Sequence, residues 1–125
     1  MSYNSENSRI LGALGEEKIA KFLKSKGCII LKRNYRDRYG EVDIIAESKQ
    51  NIIFVEVKTR NKNALVSGLD AIDEKKMRLI KNEALMFTKR LNTDLEPRID
   101  VAELTYSETP EGKYKWELKY IKSAF

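Results

Sequence analysis

The sequence contains no histidine and a single cysteine in 125 residues. Without an imidazole it cannot form a Ser-His-Asp triad, a His-Cys zinc site or an HNH-type nuclease centre. Cys28 alone cannot form an intrachain disulfide, so no feature indicates an oxidising compartment. Catalysis by this chain would therefore depend on carboxylates, lysine, tyrosine or serine. A bound metal would be held by oxygen ligands, which suit Mg²⁺, Mn²⁺ or Ca²⁺.

Long apolar runs are also missing. The longest runs of aliphatic or aromatic residues, such as Ile52 to Val55, have four residues, whereas a helix that spans a bilayer needs about 20. The polar segment 1–7 has no signal-peptide core. From these absences we expect no membrane partner, a cytoplasmic location and a flexible segment at residues 1–7.

The length and composition are those of one globular domain. A domain of about 150 residues buries roughly 70% of the surface of its unfolded chain, and this chain of 125 residues is 42% hydrophobic. We therefore expect a single domain over residues 1–125. Lys and Arg number 24 against 19 Asp and Glu, a net charge of +5. This excess favours an anionic partner such as nucleic acid without identifying one.

Hydrophobic periodicity predicts two helices and five strands. Apolar residues recur at three- and four-residue steps over residues 8–26, before Gly27, and again over residues 70–91. Short apolar or alternating runs predict strands at 28–31, 41–47, 52–60, 99–106 and 114–121, with a basic loop at 32–38 and another loop at 61–68. The order, helix, three strands, helix, two strands, predicts an α/β fold with a mixed central sheet flanked by helices.

The second and third strands form a hairpin whose register places two acidic residues opposite each other. A loop of either two or four residues centred on residues 49–50 gives the same pairing, in which Asp43 faces Glu56 and Glu41 faces Lys58. Directly opposed residues of an antiparallel pair have Cβ atoms about 4.5–5.5 Å apart. These four polar side chains are predicted to share one face of the sheet, with the apolar residues on the other: Val42, Ile44, Val55 and Val57.

Two opposed carboxylates repel each other unless a cation neutralises them. One interpretation is a polar sheet face, in which Glu41 pairs with Lys58 and Asp43 is satisfied nearby. The alternative is a functional site, because Asp43 and Glu56 lie within otherwise apolar strands, where a buried acid without a partner is costly. Lys58 follows Glu56 by two positions, and a lysine there can hold a water and stabilise charge on a phosphate.

The residues of this hairpin resemble a known nuclease signature. Gly40-Glu41-Val42-Asp43, followed by Phe54-Val55-Glu56-Val57-Lys58, resembles the D…(D/E)-x-K motif of the restriction-endonuclease-like superfamily. Over residues 8–105 the chain resembles more closely the small bacterial YraN-type family, and more distantly the archaeal Holliday-junction resolvases. This wider similarity is carried by Gly12-x-x-Gly15-Glu16, Asn34-Tyr35-Arg36 and Arg98-Ile99-Asp100-Val101.

The resemblance implies a restriction-endonuclease-like core in which Asp43 and Glu56 hold a Mg²⁺ or Mn²⁺ ion and Lys58 assists the hydrolytic water. It also implies that Glu16, on the first helix, completes the site, because this residue matches the helix-borne acid of the resolvase-like branch. Similarity to the resolvases further implies a homodimer, since cutting a two-fold symmetric junction requires two active sites. Our leading hypothesis adds the backbone carbonyl of Val57 as a metal ligand.

Basic residues flank the hairpin and are candidates for contacts with DNA. Arg60 lies two positions beyond Lys58, on the same strand face, and is the first candidate for a phosphate contact. Lys75 and Lys76, on the second helix, match a region where the superfamily often carries basic residues, and Lys75 is the candidate taken from this pair. The other nucleic-acid-binding candidates are Arg33, Arg36, Arg38 and Lys62. The alternative is that these residues belong to a solvated surface.

The sequence supports a leading function and an alternative. The first is a Mg²⁺- or Mn²⁺-dependent endonuclease that hydrolyses phosphodiester bonds in structured or branched DNA, in recombination or repair. The alternative is a non-catalytic nucleic-acid-binding module that keeps the nuclease-like fold and serves DNA processing through a protein partner. The arrangement of two acids and a lysine favours the first, whereas the basic residues are compatible with either.

Overall fold

The computed structural model describes residues 5–63 and 74–125. The elements follow the predicted order: α1 (Ser5–Ser25), β1 (Ile29–Asp37), β2 (Gly40–Glu47), β3 (Asn51–Asn61), α2 (Glu74–Leu91), β4 (Glu96–Glu108) and β5 (Tyr114–Ile121). The start of the flexible segment predicted at 1–7, most of the loop predicted at 61–68 and the predicted beginning of the second helix at 70–73 lie outside the described residues.

The five strands form one mixed sheet in the order β1-β2-β3-β4-β5. Neighbouring strands are antiparallel except β3 and β4, which are parallel, as expected for strands joined by a crossover that contains a helix. The predicted α/β fold is therefore confirmed, and the architecture is consistent with a restriction-endonuclease-like core. Within residues 5–63 and 74–125, neither helix is long and apolar enough to cross a membrane.

Two hydrophobic clusters, one on each face of the sheet, form the core. Helix α1 covers one face through Ile19, Ala20 and Leu23, and helix α2 covers the other through Ile80, Ala84 and Phe87. The central strand β3 supplies side chains alternately to both clusters. Because both of its faces are buried, β3 is apolar at consecutive positions and an acid on it has little access to water.

The predicted end of α1 at Gly27 is confirmed. The amide of Cys28 donates to the carbonyl oxygen of Leu23, and that of Gly27 to the carbonyl oxygen of Lys24, each at 3.0 Å. These two bonds form a Schellman motif, which requires a left-handed residue at Gly27, where φ is +88°. The chain reverses there and enters β1 within two residues, so α1 lies directly over the sheet.

The basic segment after residue 31 is part of a strand, and its prediction as a loop is wrong. Strand β1 continues to Asp37 because β2 pairs with it along that whole length. Within β1, Asn34 has φ +50°. This irregularity changes the face to which side chains point: Arg33 binds Glu17 of α1, whereas the ring of Tyr35 packs on the α2 side.

The predicted position of Val42 beside Ile44 is also wrong. Val42 packs in the α2 cluster and Ile44 in the α1 cluster. Their partners on β1 are Tyr35 and Arg33, which lie on either side of the irregular Asn34. The break in alternation is therefore shared by both strands, and it occurs next to Asp43.

Two glycines of α1 provide a matched test of how closely this helix approaches the sheet. A methyl group on Gly15 would overlap Oγ1 of Thr59 and come within 3.2 Å of Cδ1 of Leu104, whereas one on Gly12 would meet nothing within 4 Å. We expect Gly12→Ala to stabilise the protein by about 0.5–1 kcal/mol through helix propensity. Gly15→Ala should destabilise it by about 1–3 kcal/mol through overpacking.

Urea unfolding monitored by circular dichroism measures both changes. Equal effects of the two substitutions would show that α1 does not approach β3 as closely as described.

Candidate metal and nucleic-acid site

The predicted register of the β2–β3 hairpin is confirmed where the two strands pair. The paired residues run from Glu47 with Ile52 to Ile44 with Val55. Beyond that last pair β3 continues alongside β4, where its pairing extends to Asn61. In the same register the next pair would be Asp43 with Glu56. The two candidate carboxylates therefore lie where the β2–β3 ladder ends.

A side chain of β2 bonds to the backbone of β3 at this place. The amide of Val57 donates to Oδ2 of Asp43 at 2.8 Å. This bond holds the carboxyl group of Asp43 against β3, one residue from Glu56. The backbone amide is satisfied by an acid, and the acid is fixed by a strand that is itself buried in the sheet.

Asp43 and Glu56 form a closely coupled pair of carboxyl groups. Glu56 is 4% exposed. Burial, together with a shared hydrogen bond and charge repulsion from the neighbouring Glu56 carboxyl, raises the pKa of Asp43 to about 8, against the lowering effect of the Val57 amide. Two carboxylates in such a place favour the uptake of either a proton or a cation.

Two lysines lie against Glu56. The ammonium group of Lys76, on α2, forms an ion pair with Oε2 of Glu56. Nζ of Lys58 lies 3.9 Å from the same oxygen, and burial lowers the pKa of Lys58 although Glu56 opposes this change. The predicted acid-x-lysine arrangement is thus present, and a second lysine from α2 joins it.

Of the two lysines at the start of α2, Lys75 was the predicted nucleic-acid contact, and no contact with the acids was predicted for Lys76. Lys75 is exposed and borders the cavity that contains the two acids, whereas the side chain of Lys76 contacts Glu56 directly. The spacing of each lysine along the helix from the residues of α2 that are buried would have distinguished the two. Lys76 lies four residues before Ile80 and seven before Glu83, both of which are buried, and therefore on the covered face of the helix.

Glu16 approaches this site from the other face of the sheet. It borders a separate shallow cavity with Asn34, Val57 and Thr59. Burial raises the pKa of Glu16, and the negative charges of Glu41 and Glu56 contribute to the increase. In the part of the chain that the structure describes, no three acidic or cysteine side chains are grouped as metal ligands. Glu16 therefore lies near the Asp43–Glu56 pair without forming a three-carboxylate cluster with it.

Three of the candidate DNA-binding arginines have partners within the protein. Arg33 forms an ion pair of 2.8 Å with Glu17. Arg36 forms one of 3.2 Å with Glu41, so Glu41 does not make the pair with Lys58 that the alternative interpretation required. Arg38 donates to the hydroxyl of Tyr39 at 3.0 Å. These pairs are exposed, and a phosphate group can compete for each arginine.

The remaining basic candidates differ in their surroundings. Arg60 is half-buried at the end of β3, and its Nε is buried without a hydrogen-bond partner. Nζ of Lys62 lies 3.9 Å from a carboxylate oxygen of Glu117. Lys75 is exposed at the mouth of the carboxylate cavity. Arg60 and Lys75 are therefore the two candidates whose positions fit a phosphate contact best.

The two acids open into a cavity of about 320 Å³ between the β1–β2 turn and α2. We call it the carboxylate cavity. Its walls are Gly40, Glu41, Asp43 and Glu56 on the sheet side, and Lys75, Lys76, Leu79, Ile80 and Glu83 on α2. The cavity combines a negative floor with a positive rim, which suits a cation bound beneath a phosphate group.

Glu83 is a buried acid of this cavity that the sequence analysis did not identify. It is 2% exposed, and neither of its carboxylate oxygens has a hydrogen-bond partner. Nη2 of Arg90 lies 3.8 Å from Oε1. Burial raises the pKa of Glu83 to about 7, and the neighbouring carboxyl of Asp37 contributes to the increase. Its spacing of three residues from Ile80 and four from Phe87 was the available signal, because those apolar residues mark the covered face.

Comparison with known proteins identifies one family. The family model described as "Uncharacterised protein family UPF0102" matches residues 15–104. A UPF0102 protein of Alkaliphilus oremlandii is 38% identical over 118 residues, which cover 92% of this chain and 97% of the relative. One of Caldicellulosiruptor saccharolyticus is 41% identical over 120 residues, covering 95% and 99% of the two chains. The family model covers the whole of α2 and all of the residues that line the carboxylate cavity.

The burial of Glu83 predicts a pH-dependent stability. Because its pKa is raised, the folded protein retains a proton that the unfolded chain releases, so this residue lowers stability as pH rises from about 4.5 to about 7. Glu83→Gln removes this effect. At pH 8 we expect the free energy of unfolding of the variant to be roughly 1–3 kcal/mol larger than that of the unsubstituted protein. This difference should shrink toward pH 4.5.

Urea unfolding across this pH range measures the difference. Glu111→Gln, at an exposed acid in the β4–β5 turn, is the control and should leave the pH profile unchanged. Parallel profiles for Glu83→Gln and the unsubstituted protein would contradict the burial of an unneutralised acid.

Proposed function

The chain belongs to the UPF0102 family, and from the geometry of its carboxylate cavity we propose that it is a divalent-cation-dependent endonuclease that hydrolyses phosphodiester bonds in DNA. The observation that carries this proposal is the buried Asp43–Glu56 pair with Lys58 beside it, at the end of the β2–β3 ladder. Two adjacent acids with a lysine beside them form a group of side chains that suits phosphodiester hydrolysis with a metal ion.

The donor set fits a hard divalent cation. Asp43 and Glu56 would hold Mg²⁺ or Mn²⁺ through carboxylate oxygens, which these ions prefer. In our proposal the backbone carbonyl of Val57 is a further ligand, and Glu16 acts through a water. The raised pKa of Asp43 supports this assignment, because burial and repulsion from Glu56 make the pair bind positive charge. When bound, such an ion acidifies a water and stabilises negative charge on the phosphate.

Lys58 and Lys76 have different roles in this proposal. Lys58 is half-buried and has a lowered pKa, which suits a group that positions the attacking water and exchanges a proton with it. Lys76 neutralises Glu56 through a direct ion pair. It therefore holds α2 against the carboxylate cavity and keeps the buried acids compatible with a stable fold.

The substrate is proposed to be DNA with a structured or branched region. Arg60 and Lys75 would contact its phosphates, and the exposed arginines of β1 and the following turn would extend this surface. The resemblance to junction resolvases supports branched DNA and a homodimer with two active sites. Recombination or repair is the process in which such a substrate arises.

One observation favours a non-catalytic alternative. The ion pair between Lys76 and Glu56 already places a positive charge at the acid pair, so the cavity can be neutral without a metal ion. In that case the chain would bind nucleic acid through its basic residues and act with a protein partner. The two functions differ in their need for Asp43: cleavage requires this residue, whereas binding through the basic surface does not.

We expect the purified protein to cleave junction, flap or duplex DNA in the presence of Mn²⁺. Asp43→Asn and Glu56→Gln should each lower the rate by more than about 100-fold, because each removes a carboxylate that would hold the metal ion, and the metal ion stabilises negative charge in the transition state. Asp94→Asn, at an exposed residue before β4, makes the same chemical change outside the cavity and should have no effect.

Gel electrophoresis of labelled DNA measures the rates. Cleavage that persists at the same rate in both cavity variants would exclude the proposed site. Salt-dependent binding without cleavage, unchanged by Asp43→Asn, would establish the binding module instead.

Metal binding can be measured without any activity. Mn²⁺ should raise the melting temperature of the protein in a concentration-dependent way, since a ligand at 100 times its Kd stabilises a protein by about 2.7 kcal/mol. Asp43→Asn should abolish the increase, whereas Asp94→Asn should retain it. An equal increase in all three proteins would place the bound cation outside the carboxylate cavity.

A further inference from the structure

Another cavity lies at the opposite end of the hairpin, on the face of the sheet that α1 covers. It has a volume of about 900 Å³, which is within the usual range for small-molecule sites. The end of α1, the β2–β3 turn, the start of β4 and the end of β5 form its walls. We call it the basic pocket, because its lining includes Lys26, Lys49, Arg98 and Lys122 and no acidic side chain from the described part of the chain.

A fully buried aspartate organises one wall of the basic pocket. Asp100 is 0% exposed. It accepts hydrogen bonds from Nε and Nη2 of Arg98 at 3.0 and 2.9 Å, from the hydroxyl of Tyr120 at 2.6 Å and from the amide of Ser123 at 2.9 Å. Four bonds to one carboxylate fix the guanidinium and the phenol before any ligand arrives. The polar wall is therefore preorganised.

The guanidinium of Arg98 has a further contact at the pocket surface. Its Nη1 donates to Oδ1 of Asn51 at 3.4 Å. Burial of an aspartate is unfavourable unless its charge is compensated, and Arg98 supplies that compensation for Asp100. The net positive charge of the pocket is then due to its three lysines.

These lysines are exposed and face no acid. In the described residues, Lys26, Lys49 and Lys122 form no ion pair with a carboxylate. They project from three different elements: the end of α1, the β2–β3 turn and the segment after β5. All three line the same pocket, which favours an anion that carries more than one negative charge.

An apolar wall stands beside the positive charges. The rings of Phe22 and Tyr120 lie 5.1 Å apart between centroids and are tilted by 42°, and Leu23 and Ile53 also line the pocket. Aromatic faces of this kind stack on planar ring systems, including the bases of nucleotides. A ligand that fits both walls has a phosphate at one end and a planar ring at the other.

We propose that the basic pocket binds a nucleoside phosphate, with its phosphate between Lys49 and Lys122 and its base against Phe22 and Tyr120. The chemistry is the same for a free mononucleotide and for the terminal nucleotide of a strand. The site is separate from the carboxylate cavity in position and in lining residues, so this inference does not depend on the proposed nuclease activity.

Isothermal titration calorimetry with four probes tests the proposal. Adenosine monophosphate should bind at least tenfold more tightly than adenosine or inorganic phosphate, because only the nucleotide uses both walls. A 5′-phosphorylated tetranucleotide is the fourth probe. Tighter binding of this probe than of the mononucleotide identifies a strand end as the natural ligand, and equal or weaker binding identifies a free nucleotide. No binding of either nucleotide, or equal binding of inorganic phosphate, overturns the proposal.

Variants assign the binding to this pocket. Lys49→Glu and Lys122→Glu should each weaken binding of the mononucleotide at least tenfold, whereas Lys113→Glu, in the exposed β4–β5 turn, should not. Tyr120→Phe keeps the ring and removes the bond to Asp100, so it should weaken nucleotide binding while circular dichroism shows a folded protein. Asp43→Asn should bind the nucleotide normally, even where it abolishes cleavage. Unchanged binding in both lysine variants, or loss of binding in Asp43→Asn, overturns the assignment.

Discussion

The hydrogen bond between the amide of Val57 and the carboxylate of Asp43 is the interaction on which the site depends. It occurs where β3 leaves β2 and continues beside β4. A backbone group in the interior must find a partner, and here the partner is an acid. The acid is consequently held beside Glu56, and two like charges share a place with little access to water. The surrounding elements compensate for that repulsion.

Helix α2 provides most of this compensation, and it also adds a further buried acid, Glu83, to the cavity. Lys76 contacts Glu56. Glu83, two turns further along the same face, is buried near Asp37, and Nη2 of Arg90 lies 3.8 Å from its Oε1. The carboxylate cavity therefore has one acid that is neutralised directly and another that remains poorly compensated. Sites where buried charge is left partly uncompensated are those that take up protons, cations or charged substrates most readily. The buried Asp100 of the basic pocket differs, because four donors satisfy it completely.

Predictions from local pattern succeeded where neighbouring residues control the outcome. The hairpin register follows from the length of its turn, and the end of α1 follows from Gly27, the residue that can adopt a left-handed conformation there at no steric cost. The same reasoning was wrong for β1, whose polar second half is a strand because β2 pairs with it. It was also wrong for the face of Val42, because the alternation rule assumes regular strands and the positive φ of Asn34 interrupts the alternation.

The sequence by itself limited the side chains with which this protein could perform chemistry. With no histidine and one cysteine, it left carboxylates, lysine, tyrosine and serine, with oxygen ligands for any bound metal, and the hairpin spacing predicted that Asp43 and Glu56 lie together. Only the tertiary structure decided that Lys76 rather than Lys75 contacts Glu56, that Glu83 is buried, and that Glu16 lies across the sheet. Neighbouring residues of a helix point about 100° apart. Which of them meets the sheet is set by the rotation at which the whole helix packs, and that rotation depends on contacts between residues distant in the chain.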